Sequence, residues 1–311
     1  MLRLFFATDI HGSDVCWRKF LNAGSFYRAD VLILGGDMTG KALIPIVQDG
    51  GRHEVLFRDD RHVLETEEEV RAMEDRIAAR GYYSVRVSRG EMIALQGDPA
   101  RVEALFAERM QSTLERWLAL AEEKLRGQHL RCFVCPGNDD RFEVDEVIGR
   151  SAVIALAEGR VVDLGGVEMI STGWSNPTPW QTYRECPEEE LGTRIERMVA
   201  QLRAPAQAIF NLHCPPYRSQ LDEAPALDRE LRPLYGGQAV RPVGSTAVRD
   251  AILRHQPVLS LHGHIHEARG VARLGRSLAL NPGSSYETGI LQGALVEVDT
   301  RGVRSYMLVA G

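Results

Sequence analysis

Six short apolar runs restrict what this chain can fold into more than any other feature: "LRLFFATD", "ADVLILGGD", "LRCFVCPG", "GVEMISTG", "AIFNLHCP" and "PVLSLHGH". Each is too short for a helix and runs at once into Gly, Asp, Asn, His or Pro. That is the pattern of strands covered on both faces. Helical patterns lie between several of them. "SDVCWRKFLNA" offers Ser13 as an N-cap, "PEEELGTRIERMVAQLR" places Pro187 at a first-turn position with acids after it, and "STAVRDAILRHQ" offers Ser245 as a cap. The alternation predicts stacked α/β layers. After His266 the pattern changes, and "GVARLGRSLALNPGSS", "GALVEVDT" and "VRSYMLVAG" read as antiparallel hairpin strands.

Residues 41 to about 130 interrupt this alternation and read as an α+β insertion within a single domain spanning 1–311. "KALIPIVQDGGRHEVLFRDD" and "YYSVRVSRGEMIAL" are each expected to form a strand pair. Between them lies a helix with a capping box from Thr66 to Glu69, stopped by Gly81. A long helix follows, with Asp98 as cap, Pro99 at its first position and Gly127 as its stop. Its apolar residues, Trp117 among them, make one stripe that must be buried. The two helices are expected to pack beside the mouth of a site on the core or against a second subunit, which would make the protein a homo-oligomer through the insert.

The net charge of −6 and pI of about 5.9 argue against broad nucleic-acid binding through a basic face. There is no apolar stretch long enough to span a membrane, and the amino-terminal run is interrupted by an aspartate, unlike a signal peptide. Five irregularly spaced cysteines suggest a reducing cytosol. Cys132 and Cys135, three apart on one strand, should face opposite sides as small core residues.

The residues that close the strands carry the chemistry. The first run ends in "TDIHG" with Asp9 and His11, the second in "GGDMTG" with Asp37, and the third in "PGNDD" with Asn138, Asp139 and Asp140. A later run ends in "NLHCPP" with His213, and the last in "GHIH" with His264 and His266. An aspartate after a strand often does no more than start a turn, and an isolated histidine is more often hydrogen-bonded than metal-bound. Five strand ends of this composition, delivered to one edge, are hard to explain as turns, because sites in open α/β sheets lie at the carboxyl ends of strands. The donor set suits two divalent cations in mixed nitrogen and oxygen coordination. It exceeds what a single mononuclear hydrolase site needs.

"DIHG", "GGDMTG", "GND", "NLHCPP" and "GHIH", with "NPGS" at Asn281 to Ser284, resemble the motifs of the calcineurin-like metallophosphoesterases. The resemblance covers nearly the whole chain outside the insert. It implies a two-sheet β-sandwich flanked by helices, with the site at one edge. It also implies two divalent metal ions (manganese foremost, with iron and zinc as alternatives): one held by Asp9, His11 and His266, the other by Asn138, His213 and His264, with Asp37 bridging. The family's nucleophile is a metal-bridging hydroxide. The third motif departs from the family, which has histidine where this chain has Asp139. That histidine stabilises the transition state or protonates the leaving oxygen, so leaving-group protonation should be weak here. Asp140 matches the acid that usually follows and can orient a neighbour. His262, His53 and His62 are candidates to replace the missing histidine. In the long loop after His213, Tyr217 and Arg218 are candidate substrate contacts. Trp17 and Arg18 follow the first motif, with helix packing the simpler account of both. The resulting expectation is a cytoplasmic phosphoesterase acting on a phosphorylated small molecule or nucleotide, with phosphodiesters preferred. The alternative is a weakly active or non-catalytic metal-bound protein-interaction module.

Overall fold

A computed structural model describes residues 1–311. The chain opens with β1 (Leu2–Ala7), α1 (Asp14–Tyr27) and β2 (Val31–Leu34). The inserted stretch contributes β3 (Leu43–Asp49), β4 (Arg52–Phe57), β5 (Asp60–Leu64), α2 (Glu67–Ala79), β6 (Tyr83–Ser88), α3 (Arg89–Gln96) and α4 (Pro99–Leu125). The core resumes with β7 (Arg131–Val134), α5 (Glu143–Gly149), β8 (Ile154–Leu156), β9 (Val161–Asp163), β10 (Glu168–Thr172), α6 (Glu188–Val199) and β11 (Ile209–Leu212). A long loop carries β12 (Glu223–Pro225) and β13 (Val240–Pro242). The chain ends with α7 (Thr246–His255), β14 (Leu259–Leu261), β15 (Gly270–Leu274), β16 (Ser277–Asn281), β17 (Gln292–Asp299) and β18 (Gly302–Ala310).

Two six-stranded sheets form a sandwich, with orders β18-β17-β1-β2-β7-β8 and β15-β16-β14-β11-β10-β9. β1, β2, β7 and β8 run parallel in the first, and β10, β11, β14 and β16 in the second. Antiparallel strands complete the flanks: β15, β17 and β18 lie in the segments expected to form hairpins, β16 of those segments is antiparallel to β15 but parallel to β14, and β9 adds one more. The two-faced burial of the short runs is visible residue by residue. Leu4 and Phe6 point between the sheets, whereas Phe5 and Ala7 point outward to α1 and α4. The strand period of two also sends Cys132 to the outer layer and Cys135 between the sheets. α6 and α7 cover the outer face of the second sheet. The result is an α/β layered sandwich flanked by helices.

The helix starts follow their caps. Ser13, Thr66, Asp98 and Ser245 each accept a backbone N–H of the first turn, and Thr66 with Glu69 completes a reciprocal box. Pro187 sits one position earlier than expected, as the residue before α6. The insert differs from expectation in two places. "YYSVRVSRGEMIAL" is not a strand pair: only Tyr83–Ser88 is extended, because Ser88 and Glu91 form a second capping box that starts α3. "KALIPIVQDGGRHEVLFRDD" supplies β3 and β4, and β5 adds a third strand after a tight turn at Arg58 and Asp59, both at positive φ. The four-stranded sheet, order β5-β4-β3-β6, packs α2 on one face and α3 on the other. α4 instead joins the main core: Trp117 stacks on Trp17 with ring centroids 5.0 Å apart, and the Trp17 indole donates to the Trp117 carbonyl. No helix is long and apolar enough to cross a membrane, and all five cysteines are free and buried.

Candidate metal centre

The loops after β1 and β2 run side by side. Asp9 N–H donates to the Gly36 carbonyl, His11 N–H to that of Asp37 and Gly12 N–H to that of Met38. His213 follows β11, and its N–H donates to the Thr172 carbonyl; Gly263, after β14, donates to the His213 carbonyl. Strand ends from both sheets therefore converge at one edge. The backbone bends sharply to present the side chains. Asp9, His11, Asp37 and His264 have φ of 52°, 39°, 47° and 66°. Non-glycine residues rarely adopt this region, and such strain persists only where surrounding contacts enforce it.

Three overlapping groups of three side chains form here: Asp9 with His11 and His266, Asp37 with His213 and His264, and His11 with Asp37 and Asp139. Asp37 Oδ2 lies 3.4 Å from His213 Nε2 and 3.7 Å from His11 Nε2, between the groups. Its other oxygen accepts the Asp139 N–H at 2.9 Å. Asp9 Oδ1 is 3.2 Å from His266 Nε2 and 3.9 Å from both His11 and His213. His11 and His266 approach Nε2 to Nε2 at 3.0 Å. Two neighbouring imidazoles aimed at one point suit a shared cation better than each other.

Three further observations fit metal ions at this place. His213 Nδ1 contacts the Gly35 carbonyl at 3.1 Å, which orients the ring and leaves buried Nε2 with no hydrogen-bond partner. Asn138 Nδ2 donates to Thr182 Oγ1 at 2.8 Å, leaving Oδ1 buried and unpartnered. The electrostatics point the same way. Burial opposes charge on Asp9, but His213 and His266 outweigh it and hold the carboxyl below its usual range. Burial likewise opposes charge on Asp37, and is outweighed by His213 and His11. Burial disfavours protonated His213, yet Asp37 and Asp9 raise it to about 9. His264, buried and beside His213, falls to about 4. The ionised carboxylates thus favour positive charge beside them, on the His213 imidazole or on a metal cation in its place.

Asp140 lies beneath this surface. Its carboxylate accepts the N–H groups of Gly137, Met38 and Thr39 and the Thr39 hydroxyl, tying the Asp37 and Asn138 loops together. Asp139 is partly open, with Oδ2 4.0 Å from His11 Nδ1 and 3.7 Å from Lys41 Nζ; burial and Asp37 raise its pKa to about 6. His262 is not brought to the site. Its Nδ1 meets the Leu212 and Cys214 carbonyls at 2.7 and 3.1 Å and its Nε2 meets Ser260 Oγ at 2.8 Å, so both nitrogens are engaged inside the core. Even spacing along a strand would have put His262 on the side of His264 and His266, but β14 ends at Leu261 and the positive φ of His264 (66°) breaks the extended run, so His262 stays in the core with no nitrogen free for the expected catalytic role. His53 and His62 lie on β4 and β5 of the insert sheet. Tyr217 is half-buried and Arg218 exposed, with the guanidinium 5.2 Å above the Tyr217 ring. Trp17 is packing, as described above, and Arg18 is exposed.

Tyr286 and Arg184 also belong to the centre and carry no signal in the sequence, whereas "NPGS" is visible there. The Tyr286 ring lies 4.8 Å from that of His11. Arg184, fully buried, donates to the Asp140 and Arg141 carbonyls and pairs with Asp145, bracing the third motif. Within "NPGS", Asn281 donates to the Gly263 and Ile265 carbonyls and Ser284 to that of Asp9, clamping the histidine loop.

No protein-family model matches the chain. It is 27% identical over 157 residues to the uncharacterized protein MJ1162 of Methanocaldococcus jannaschii, a match spanning 50% of this chain and 64% of that protein. Among solved structures, one aligns with a TM-score of 0.57 at 16% identity, over 99% of this chain and 98% of the other. The protein TT1561 of Thermus thermophilus aligns with a TM-score of 0.51 at 14% identity, over 100% of this chain and 98% of the other. The likeness to these two structures is one of fold alone, over nearly the full length of both chains, whereas the match to MJ1162 covers less than two thirds of that protein.

Proposed function

We propose that this chain is a calcineurin-like metallophosphoesterase, a hydrolase of phosphate esters that works with two divalent cations. The observation that carries the reading is the pair of mixed nitrogen and oxygen groups with Asp37 Oδ2 between them. Asp9, His11 and His266 would hold one ion, and Asn138, His213 and His264 the other. Manganese, iron and zinc all suit these donors. Paired cations supply an activated water and a clamp on phosphoryl oxygens when bound.

The chain's residues have separable tasks. The Gly35 carbonyl orients His213, and Thr182 orients the Asn138 amide. Asp140 fixes the relation between the Asp37 and Asn138 loops. No histidine stands where the family protonates the leaving group, and Asp139 with Lys41 occupies that edge. Phosphodiesters, or esters with good leaving groups, are accordingly the favoured substrates, in the form of small phosphorylated molecules or nucleotides. The cytosol suits its free cysteines.

Elemental analysis after mild metal loading, coupled to a phosphomonoester and phosphodiester panel, tests the reading. Two metals per chain with diester turnover are expected. Asp37→Ala should lose metal and activity together. Negligible metal uptake would sink the proposal, and two bound metals without turnover of any ester would favour the interaction-module alternative.

A further inference from the structure

We propose that Lys41 is a substrate-binding residue of this site, the cation that meets the phosphoryl group at the edge where Asp139 stands; the inference rests on the phosphoesterase reading above. Lys41 Nζ lies 3.7 Å from Asp139 Oδ2, and its side chain is 43% exposed while that of Asp139 is 29% exposed. At that distance the two form an ion pair, but the ammonium is too far to commit an N–H in a hydrogen bond. Its three donors remain free for a ligand. Asp139 in turn lies 4.0 Å from His11 Nδ1, so the ammonium stands one residue away from a candidate metal ligand.

Electrostatics require such a group. Asp9, Asp37 and Asp139 bring carboxylates together at this edge. An ionised Asp139 alone would repel a phosphate entering beside it. Pairing Asp139 with Lys41 offsets that repulsion and leaves the ammonium donors uncommitted beside it. The approach of Lys41 is built into the chain around it. Asp140 holds Met38 and Thr39 through their N–H groups, and the buried Tyr83 hydroxyl accepts the Gly40 N–H at 2.7 Å. Tyr83 belongs to β6, so the inserted sheet itself fixes the residue next to Lys41. On this view one task of the insert is to deliver a cation that the common core lacks.

The test compares wild type with Lys41→Met and Lys41→Arg, each loaded with manganese. Metal content is measured by elemental analysis, inorganic phosphate binding by calorimetry, and kcat and KM on a phosphodiester. Lys41→Met should keep wild-type metal content yet bind inorganic phosphate roughly 10- to 100-fold more weakly, the range for a lost hydrogen bond to a charged group. KM should rise with it, and Lys41→Arg should recover most of the binding. Phosphate affinity in Lys41→Met within about twofold of wild type, with metal retained, would overturn this inference and leave the phosphoesterase reading standing. A wild type that takes up no metal and hydrolyses no ester overturns both.

Discussion

At the scale of single residues, the centre depends on backbone positions that tolerate little change. A Cβ on Gly137 would collide with Asp37 Oδ1 and with the Asp37 backbone nitrogen. Gly137→Ala should therefore displace Asp37 and weaken metal binding by roughly 10- to 100-fold, the usual effect of disturbing a ligand's support. Competition against a chelator measures it, and unchanged affinity would mean that Asp37 is not a ligand. Asp139 gives a second expectation. With aspartate at the place of the family's histidine, turnover should depend steeply on leaving-group pKa across aryl and alkyl esters. Asp139→His should flatten that dependence, because general acid help contributes roughly 10²- to 10⁴-fold, mostly to poor leaving groups. A flat wild-type series with chemistry rate-limiting would mean that another group supplies the proton. The side chains that the fold gathers were legible in the sequence because each directly ends an apolar strand. Lys41, Thr182, Arg184 and Tyr286 were not, since they reach the centre through loops whose course depends on tertiary contacts. His262 misled because its even spacing from His264 and His266 suggests a shared face, whereas the chain leaves the strand after Leu261 and turns at His264, leaving His262 inward.

At the scale of elements, the most informative segment is α4. Its stripe predicted burial somewhere, and the structure places Met110, Leu114, Trp117 and Ala121 against α1 in the main core. The stripe is thus satisfied within the chain. The Trp117 indole also donates to Asp14, and Arg116 pairs with the same carboxylate at 3.0 Å. Trp117→Ala should destabilise the protein by about 3–5 kcal/mol, the range for truncating a buried aromatic. Urea unfolding would report it as a lower midpoint. A loss below about 1 kcal/mol, or a change in sedimentation without a change in stability, would show that the stripe serves an interface instead. We propose on the same grounds that residues 1–311 form one domain, with α4 tying the insert to the core. Helices with sharp caps were readable from sequence. α3 was not, since "RGEMIALQ" lacks a long apolar period and its start is marked only by Ser88 and Glu91. β5 escaped because its turn uses Arg58 and Asp59 rather than Asn-Gly.

At the scale of the whole molecule, the candidate centre joins the two halves of the sandwich. Asp9, His11, Asp37 and Asn138 follow strands of the first sheet, whereas His213, His264 and His266 follow strands of the second. The group of Asp9, His11 and His266 and that of Asp37, His213 and His264 each draw on both sheets. An ion held by either group would bridge them, and the unfolded chain cannot reproduce that arrangement. Metal should therefore stabilise the fold by mass action, by about 2.7 kcal/mol when free metal exceeds Kd roughly a hundredfold. The metal-free centre adds to the difference, because it leaves Asn138 Oδ1 buried without a partner. Chelation should lower Tm by several degrees, and manganese should restore it in proportion to the logarithm of its free concentration. Scanning calorimetry of wild type beside Asp37→Ala makes the test specific: the variant should show little dependence on metal, whatever its baseline stability. A wild-type Tm that ignores chelator and metal alike would mean that the two sheets are held by their shared apolar core alone, with no ion between them.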